Sequence, residues 1–284
     1  MACSVGCGEL PSTVRVVSSL RQGAAAIQSV KWNRLTWDVD YSWADGGDSW
    51  SEQWGGPEKQ WRGTILPRIR DFVPARTCLE IAPGHGRWTQ FLKDLCDQLF
   101  VVDLSASCIA ACQQRFSNCA NIRYYVNDGT SLAMVPDQSV DFAFSFDSLV
   151  HVEADVIEAY LQQLASKLTK EGVGFIHHSN LGQYKRQFWY RRVPLLRSIV
   201  KRTGLVDTYT GYRTLSVTAA KFEEIARRTG LQCISQELVN WNSPRLTDCL
   251  SVFTPNGSRW FRPNQIRHNP HFMDEARRIR ETCP

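Results

Sequence analysis

The 284-residue chain has room for one large domain, or a domain with an appended cap, and 43% hydrophobic against 21% charged residues is the balance of a globular protein. A formal net charge of +5 neither demands nor excludes an anionic partner. The opening Met-Ala-Cys-Ser-Val-Gly-Cys-Gly lacks the basic start and apolar core of a signal peptide, no segment is apolar for long enough to span a bilayer, and Cys108, Cys112 and Cys119 are spaced unlike a zinc site. A reducing cytoplasm is therefore the expected home, with Cys108 and Cys112 read as small core residues on one helix face and no metal assigned.

Residues 1–30 are weakly patterned. From Trp32 to Trp61 the character changes: Trp32, Trp37, Trp43, Trp50, Trp54 and Trp61 fall there, among Asp38, Asp40, Asp45, Asp48 and glycine pairs. Such a Gly-interrupted aromatic stretch reads either as an irregular segment anchored to the body or as a lid over a ligand, and the two are compatible. Residues 1–75 are accordingly separated as an N-terminal extension from a 76–284 domain.

After Pro74 strand and helix patterns alternate, which implies a parallel sheet covered on both faces. Thr77–Ile81 is the first expected strand, and the helical spacing of Trp88, Phe91, Leu92 and Leu95 gives the first covering helix. A second strand, Leu99–Val102, ends at Asp103, and Ser105 is a suitable N-cap for a helix reaching Phe116. Ile122–Val126 and Val140–Phe146 follow as strands, then an amphipathic helix through Val156, Tyr160, Leu161, Leu164 and Leu168, and a fifth strand at Val173–His178. Residues 182–215 break the rhythm with a basic, aromatic run (Tyr184 to Arg192, then Arg197, Lys201 and Arg202), read as a helical cap insertion. A helix near Thr218–Arg228 stopped by Gly230, strands at Leu231–Leu238 and Cys249–Phe253, and a basic helix around Met273–Glu281 complete the chain.

The chemistry concentrates at the ends of the expected strands. Glu80-Ile81-Ala82-Pro83-Gly84-His85-Gly86 closes an apolar run with a Gly-X-Gly turn that lets backbone approach a small cofactor. A nicotinamide site prefers Gly or Ala at the third turn position, where Thr89 stands, and leaves Asp128 without a role. Glu80-X-Ala82-X-Gly84-X-Gly86, then Asp103 after a second strand, then Asn127-Asp128-Gly129 after a third, resembles the class I S-adenosyl-L-methionine (SAM)-dependent methyltransferases. Val140–Asp147 is similar to that family's fourth-strand motif, and the resemblance runs from about Trp54 to Phe253. It implies a Rossmann-like, doubly wound, mostly parallel seven-stranded sheet with an antiparallel last strand.

By the same resemblance Asp103 accepts from the cofactor's ribose hydroxyls, Asp128 accepts from the adenine amino group, and Gly129 leaves room for the ring. Glu80 orients the turn or the cofactor's ammonium group, and Trp54, Leu104, Ser105 and Phe146 lie beside the cofactor. Ala82 departs from the family pattern, replacing the first glycine of the turn. Its methyl is tolerable where φ is negative, so the backbone is expected to depart there from the family norm.

Methyl transfer from a sulfonium is an in-line displacement, and a neutral hydroxyl acceptor needs a base. Candidates at the ends of strands four and five are Asp147, His151, His177, His178 and Asn180. His151 is the first choice for its position at the crevice rim. His177 and His178 point to opposite faces of a strand, and His178, nearer the strand end, is the expected one of the two. A metal-assisted variant with Asp147 and a histidine lacks any local ligand pair. The expected acceptor is a hydroxyl on a small molecule, sugar or natural-product intermediate, with an anionic group one reading of the arginines in the 182–215 insertion. A nucleic-acid-modifying enzyme and a SAM-binding protein doing other chemistry, or none, are the alternatives.

Overall fold

A computed structural model describes residues 29–41, 43, 45–187, 212–241 and 243–282. Its centre is an eight-stranded sheet: β1 Ala75–Ile81, β2 Cys96–Asp103, β3 Ile122–Val126, β4 Val140–Ser145, β5 Leu168–Ser179, β6 Leu231–Val239, β7 Asp248–Pro255 and β8 Gln265–Asn269, in the order β3-β2-β1-β4-β5-β7-β6-β8. β7 is antiparallel to both of its neighbours, and every other pairing is parallel. The order reverses at β1, so the crevice beyond the carboxyl ends of β1 and β4 is the topological switch point where ligands bind in open α/β sheets.

The strand count corrects the expectation of seven. β8 is almost wholly exposed, so it carries no alternation of apolar and polar residues for sequence reading to find. It pairs with β6 on the edge of the sheet, so the antiparallel strand, β7, is the last but one in the chain rather than the last.

Alternate residues of the strands feed two cores. Cys78, Phe142, Phe144 and Phe175 face one side, while Leu79, Ile81, Ala143 and Ile176 face the other. The first side is covered by Trp61, Ile65 and Ile69, by α4 (Thr89–Leu92), by α5 (Ala106–Arg115) and by α8 (Phe272–Thr282). The second is covered by α6 (Ala154–Lys167) and α7 (Ala219–Arg228). Ser105 caps α5 by accepting from Cys108 N at 3.1 Å, and Thr218 caps α7 by accepting from Lys221 N at 3.0 Å. Gly230 has φ +89°, the left-handed closure that glycine makes inexpensive.

Ahead of the sheet run α1 (Val30–Leu35), a wide π turn over Thr36–Asp40 and a 3₁₀ stretch over Asp48–Trp54. A segment made of α2 (Pro57–Gln60), a second π turn (Trp61–Ile65) and α3 (Leu66–Ile69) then leads into β1. Residues 188–211 of the 182–215 insertion lie outside the described residues.

Candidate methyl-donor site

The turn after β1 is held from three sides. Ala82 N donates to Val102 O at 2.8 Å, Ser148 Oγ donates to Ala82 O at 2.7 Å, and Gly84 N donates to Asp103 Oδ2 at 3.2 Å. Ala82 has φ +58°, so the expectation of a negative φ is wrong. The surrounding bonds hold alanine in the left-handed conformation a glycine would take, at a cost of about 1–2 kcal/mol. At Gly86 a Cβ would stand 2.5 Å from the Phe116 ring, so glycine there lets the turn close onto the end of α5.

Asp103 is buried at the end of β2, with Oδ1 accepting from Ser105 N at 2.8 Å. Burial raises its pKa to about 6 against the pull of the Ser105 and Gly84 N–H groups. Glu80 lies beneath the turn at 1% exposure. One oxygen accepts from Thr89 Oγ1 at 2.5 Å, while Oε1 has no hydrogen-bond partner among the described residues. Burial pushes this carboxyl up to about 8. Asp128 is exposed, with Oδ1 accepting from Thr130 N, Thr130 Oγ1 and Ser131 N, bonds that hold its pKa below the usual carboxylate value.

The N-terminal segment lies across this crevice. Asp38 accepts from the hydroxyls of Ser105 and Ser107, both at 2.6 Å. Trp43 stacks on His85 with centroids 4.5 Å apart and planes within 9°, and its Cη2 is 2.7 Å from where a Cβ of Gly84 would stand. Val30 meets Gly129 in the same way. Trp37 packs on the His151 ring at 5.1 Å, and Asn33 Nδ2 donates to His151 O at 3.0 Å.

On the other side of the switch point, the ends of β4, β5 and β7 carry a network that sequence reading missed. Asp147, with φ +65°, pairs with Arg87 at 2.8 Å and donates its backbone N–H to His177 Nδ1 at 3.1 Å. That bond leaves the His177 proton on Nε2, which donates to Asp248 Oδ2 at 3.1 Å. Arg213 grips the same carboxylate through Nε and Nη2. Burial alone would raise Asp248, but Arg213 and His177 hold it at about 2. Trp241 stacks against His177 at 5.3 Å, and Phe146 lies between His177 and Trp88.

The choice of His178 over His177 is corrected here. His178 lies on the opposite face, stacked on Phe222 at 4.2 Å and bonded to Ser251 Oγ at 2.8 Å, where burial takes its pKa to about 3. Trp54 is also a core residue: it has no exposed surface, donates Nε1 to Thr64 Oγ1 at 2.8 Å and packs on Trp241 and Phe272. His151 keeps its place at the rim. Its Nδ1 lies 3.4 Å from Tyr212 O, and surrounding protein, then the Arg213 charge, takes its pKa down to about 4. Leu104 is partly exposed beside Asp103, and Asn180 is tied to Leu246 O and Ala219 N. Among the described residues no three His, Cys, Asp or Glu side chains converge as a metal cage.

Residues 78–172, which carry the turn, Asp103, Asp128 and Asp147, match a family model described as a methyltransferase domain. Residues 78–172 thus carry the signature of a methyltransferase domain. No curated protein matches. The N-methyltransferase NodS from Bradyrhizobium japonicum, solved with S-adenosyl-L-homocysteine (SAH), shares the fold at 16% identity and TM-score 0.52, over 80% of this chain and 96% of NodS. The PH0226 protein from Pyrococcus horikoshii does so at 16% identity and TM-score 0.50, over 78% and 96%. The residues of this methyltransferase domain fit SAM: a partnerless carboxylate oxygen under the turn and a buried carboxylate at the end of β2 are acceptors suited to a cofactor rich in N–H and O–H donors. No helix among the described residues is long and apolar enough to cross a membrane.

Proposed function

We propose that this protein transfers the methyl group of SAM to a hydroxyl on a small molecule, sugar or natural-product intermediate, as a cytoplasmic biosynthetic enzyme. SAM supplies an electrophilic methyl carbon. Asp103 would accept from its ribose hydroxyls, Asp128 through the oxygen not bound to its own loop would take the adenine amino group, and Glu80 Oε1 would face the ammonium side. Gly84, Gly86 and Ala82 shape the backbone path between them, with Leu104, Ser105, Gly129 and Phe146 as flanking surface. Residues 1–75 act as a lid, a reading supported by the way Val30, Asp38 and Trp43 pack onto Gly129, Ser105 and Gly84.

The observation that carries the base assignment is the Tyr212 carbonyl facing His151 Nδ1. A carbonyl only accepts, so the proton sits on Nδ1 and the Nε2 lone pair is the one available to take a proton from the acceptor. Asp147 and His177, bound to Arg87 and Asp248, shape the acceptor side rather than move protons. With a pKa of about 4, His151 is neutral through the physiological range and is protonated only as pH falls through that value. Its low basicity suits an acidified hydroxyl. It also favours a second reading, an amine acceptor that brings its own lone pair and needs no strong base.

The test is SAH formation, followed by mass spectrometry, with hydroxylated acceptors and any small molecule that co-purifies. His151→Ala is expected to slow hydroxyl methylation by about 100-fold or more. Full turnover by that variant across pH removes His151 as base, and turnover of amines alone moves the assignment to the second reading.

A further inference from the structure

From Thr36 to Pro57 the chain carries five carboxylates (Asp38, Asp40, Asp45, Asp48, Glu52) and no lysine, arginine or histidine, in a protein whose net charge is +5. The same stretch holds Trp37, Tyr41, Trp43, Trp50 and Trp54. Three of these rings are mutually inclined. Tyr41 meets Trp43 edge-on at 4.7 Å and 78°, Trp37 meets Tyr41 at 5.4 Å and 60°, and Trp37 meets Trp43 at 6.5 Å and 52°. Trp43 is fixed by Nε1, which donates to Trp37 O at 3.0 Å, and by its stack on His85. The nearby guanidiniums are already matched, Arg87 by Asp147 and Arg115 by Asp48.

Inclined π faces on a segment that carries acidic side chains and no basic ones are chemistry for a cation. Trp43 brings them to the Gly84 turn, where the proposed cofactor lies. That cofactor changes charge in the reaction: the sulfonium of SAM is cationic, and the thioether of SAH is neutral. We propose that Trp43, with Tyr41 and Trp37, makes the site read this charge, holding the methyl donor more tightly than the spent product. Trp43 is thereby a specificity-determining residue, and loss of the positive charge on methyl transfer loosens the segment that covers the crevice. The inference rests on the SAM-dependent reading given above.

The test needs no acceptor. Calorimetric titrations of the full chain with SAM, with SAH and with sinefungin, whose ammonium replaces the sulfonium, compare wild type, Trp43→Leu and Trp43→Phe, with thermal melts to establish that each variant is folded. Wild type is expected to bind SAM and sinefungin about 3- to 30-fold more tightly than SAH, the range of a partly desolvated cation–π contact. Trp43→Leu should erase most of that ratio by weakening the two cations while SAH changes little, and Trp43→Phe should restore part of it. Equal losses for all three ligands, or a ratio unmoved by Trp43→Leu, overturn the proposal and leave Trp43 as packing. Equal affinities for SAM and SAH in wild type overturn it as well. Failure of wild type to bind either one removes the SAM reading itself, and this inference with it.

Discussion

The two halves of the crevice treat their buried acids in opposite ways. At the ends of β1 and β2, Glu80 and Asp103 have only neutral hydrogen-bond donors and are held at about 8 and about 6. At the ends of β4, β5 and β7, Asp147 and Asp248 have arginine partners, and Asp248 sits at about 2. A carboxylate without a cation is poised to accept from a ligand, whereas one already paired is scaffolding. In the proposed function the first half is therefore the receptor for the donor groups of the cofactor, and the second the preorganised wall for whatever takes the methyl group.

The largest effect that would break this contrast is on stability. Asp248→Ala leaves the Arg213 guanidinium buried and removes the partner of His177 Nε2, and is expected to cost about 3–5 kcal/mol in urea unfolding. Asp103→Ala should cost less, about 1–3 kcal/mol for the Gly84 and Ser105 N–H groups left without an acceptor, while weakening SAM binding by about 10- to 100-fold through two lost charge-assisted hydrogen bonds. If the two substitutions destabilise alike, or SAM affinity survives Asp103→Ala, the division into receptor and wall is wrong.

A pH series sharpens it further. Glu80 has a folded pKa of about 8 against an ordinary 4.5, so the folded state holds a proton that the unfolded chain has released between those values. The Glu80 contribution should thus fall as pH rises from about 4.5 to 8, by roughly 3 kcal/mol at pH 7. The difference in slope between wild type and Glu80→Gln separates it from His151 and His178, whose lowered pKa values act with the opposite sign below about 6.5. Asp248 has the opposite sign. Its contribution is complete above the ordinary 3.8 and is lost only as pH falls toward 2, so it is silent in the same window. Equal pH slopes for wild type and Glu80→Gln between about pH 5 and 8 would contradict the burial of an uncompensated Glu80.

The same contrast explains what sequence reading could and could not reach. Glu80, Gly84, Asp103 and Asp128 sit at or just beyond the ends of successive strands, and the roles proposed for them depend on local spacing, which a sequence displays directly. Ser105 and Thr218 likewise announce their helices by capping chemistry. His177, Asp248 and Arg213 meet only because β7 lies beside β5, a pairing across 71 residues that no local pattern encodes. The parity of the strand separated His177 from His178, but deciding which faced the crevice required knowing that Phe175 and Phe146 share the side packed by Trp241, while Phe222 fills the other. β8 went unseen because a strand exposed on both faces has no periodicity to read.

Each half also holds a residue other than glycine in the left-handed region, Ala82 with φ +58° and Asp147 with φ +65°, and the smallest expected effects compare them. Ala82→Gly removes the Cβ strain but adds freedom to the unfolded chain, so a net stabilisation of about 0.5–1 kcal/mol is expected, read as a rise in urea midpoint at unchanged slope. SAM affinity should stay within about twofold, because the turn is fixed by Val102 O, Ser148 Oγ and the Asp103 carboxylate rather than by the methyl group. Asp147→Gly relieves the same kind of strain yet deprives the buried Arg87 of its carboxylate, so it should destabilise despite the better backbone. The difference in sign separates a residue that merely endures its backbone from one whose side chain requires it. Should both glycine substitutions stabilise the protein, the Arg87–Asp147 pair contributes nothing to holding the acceptor wall.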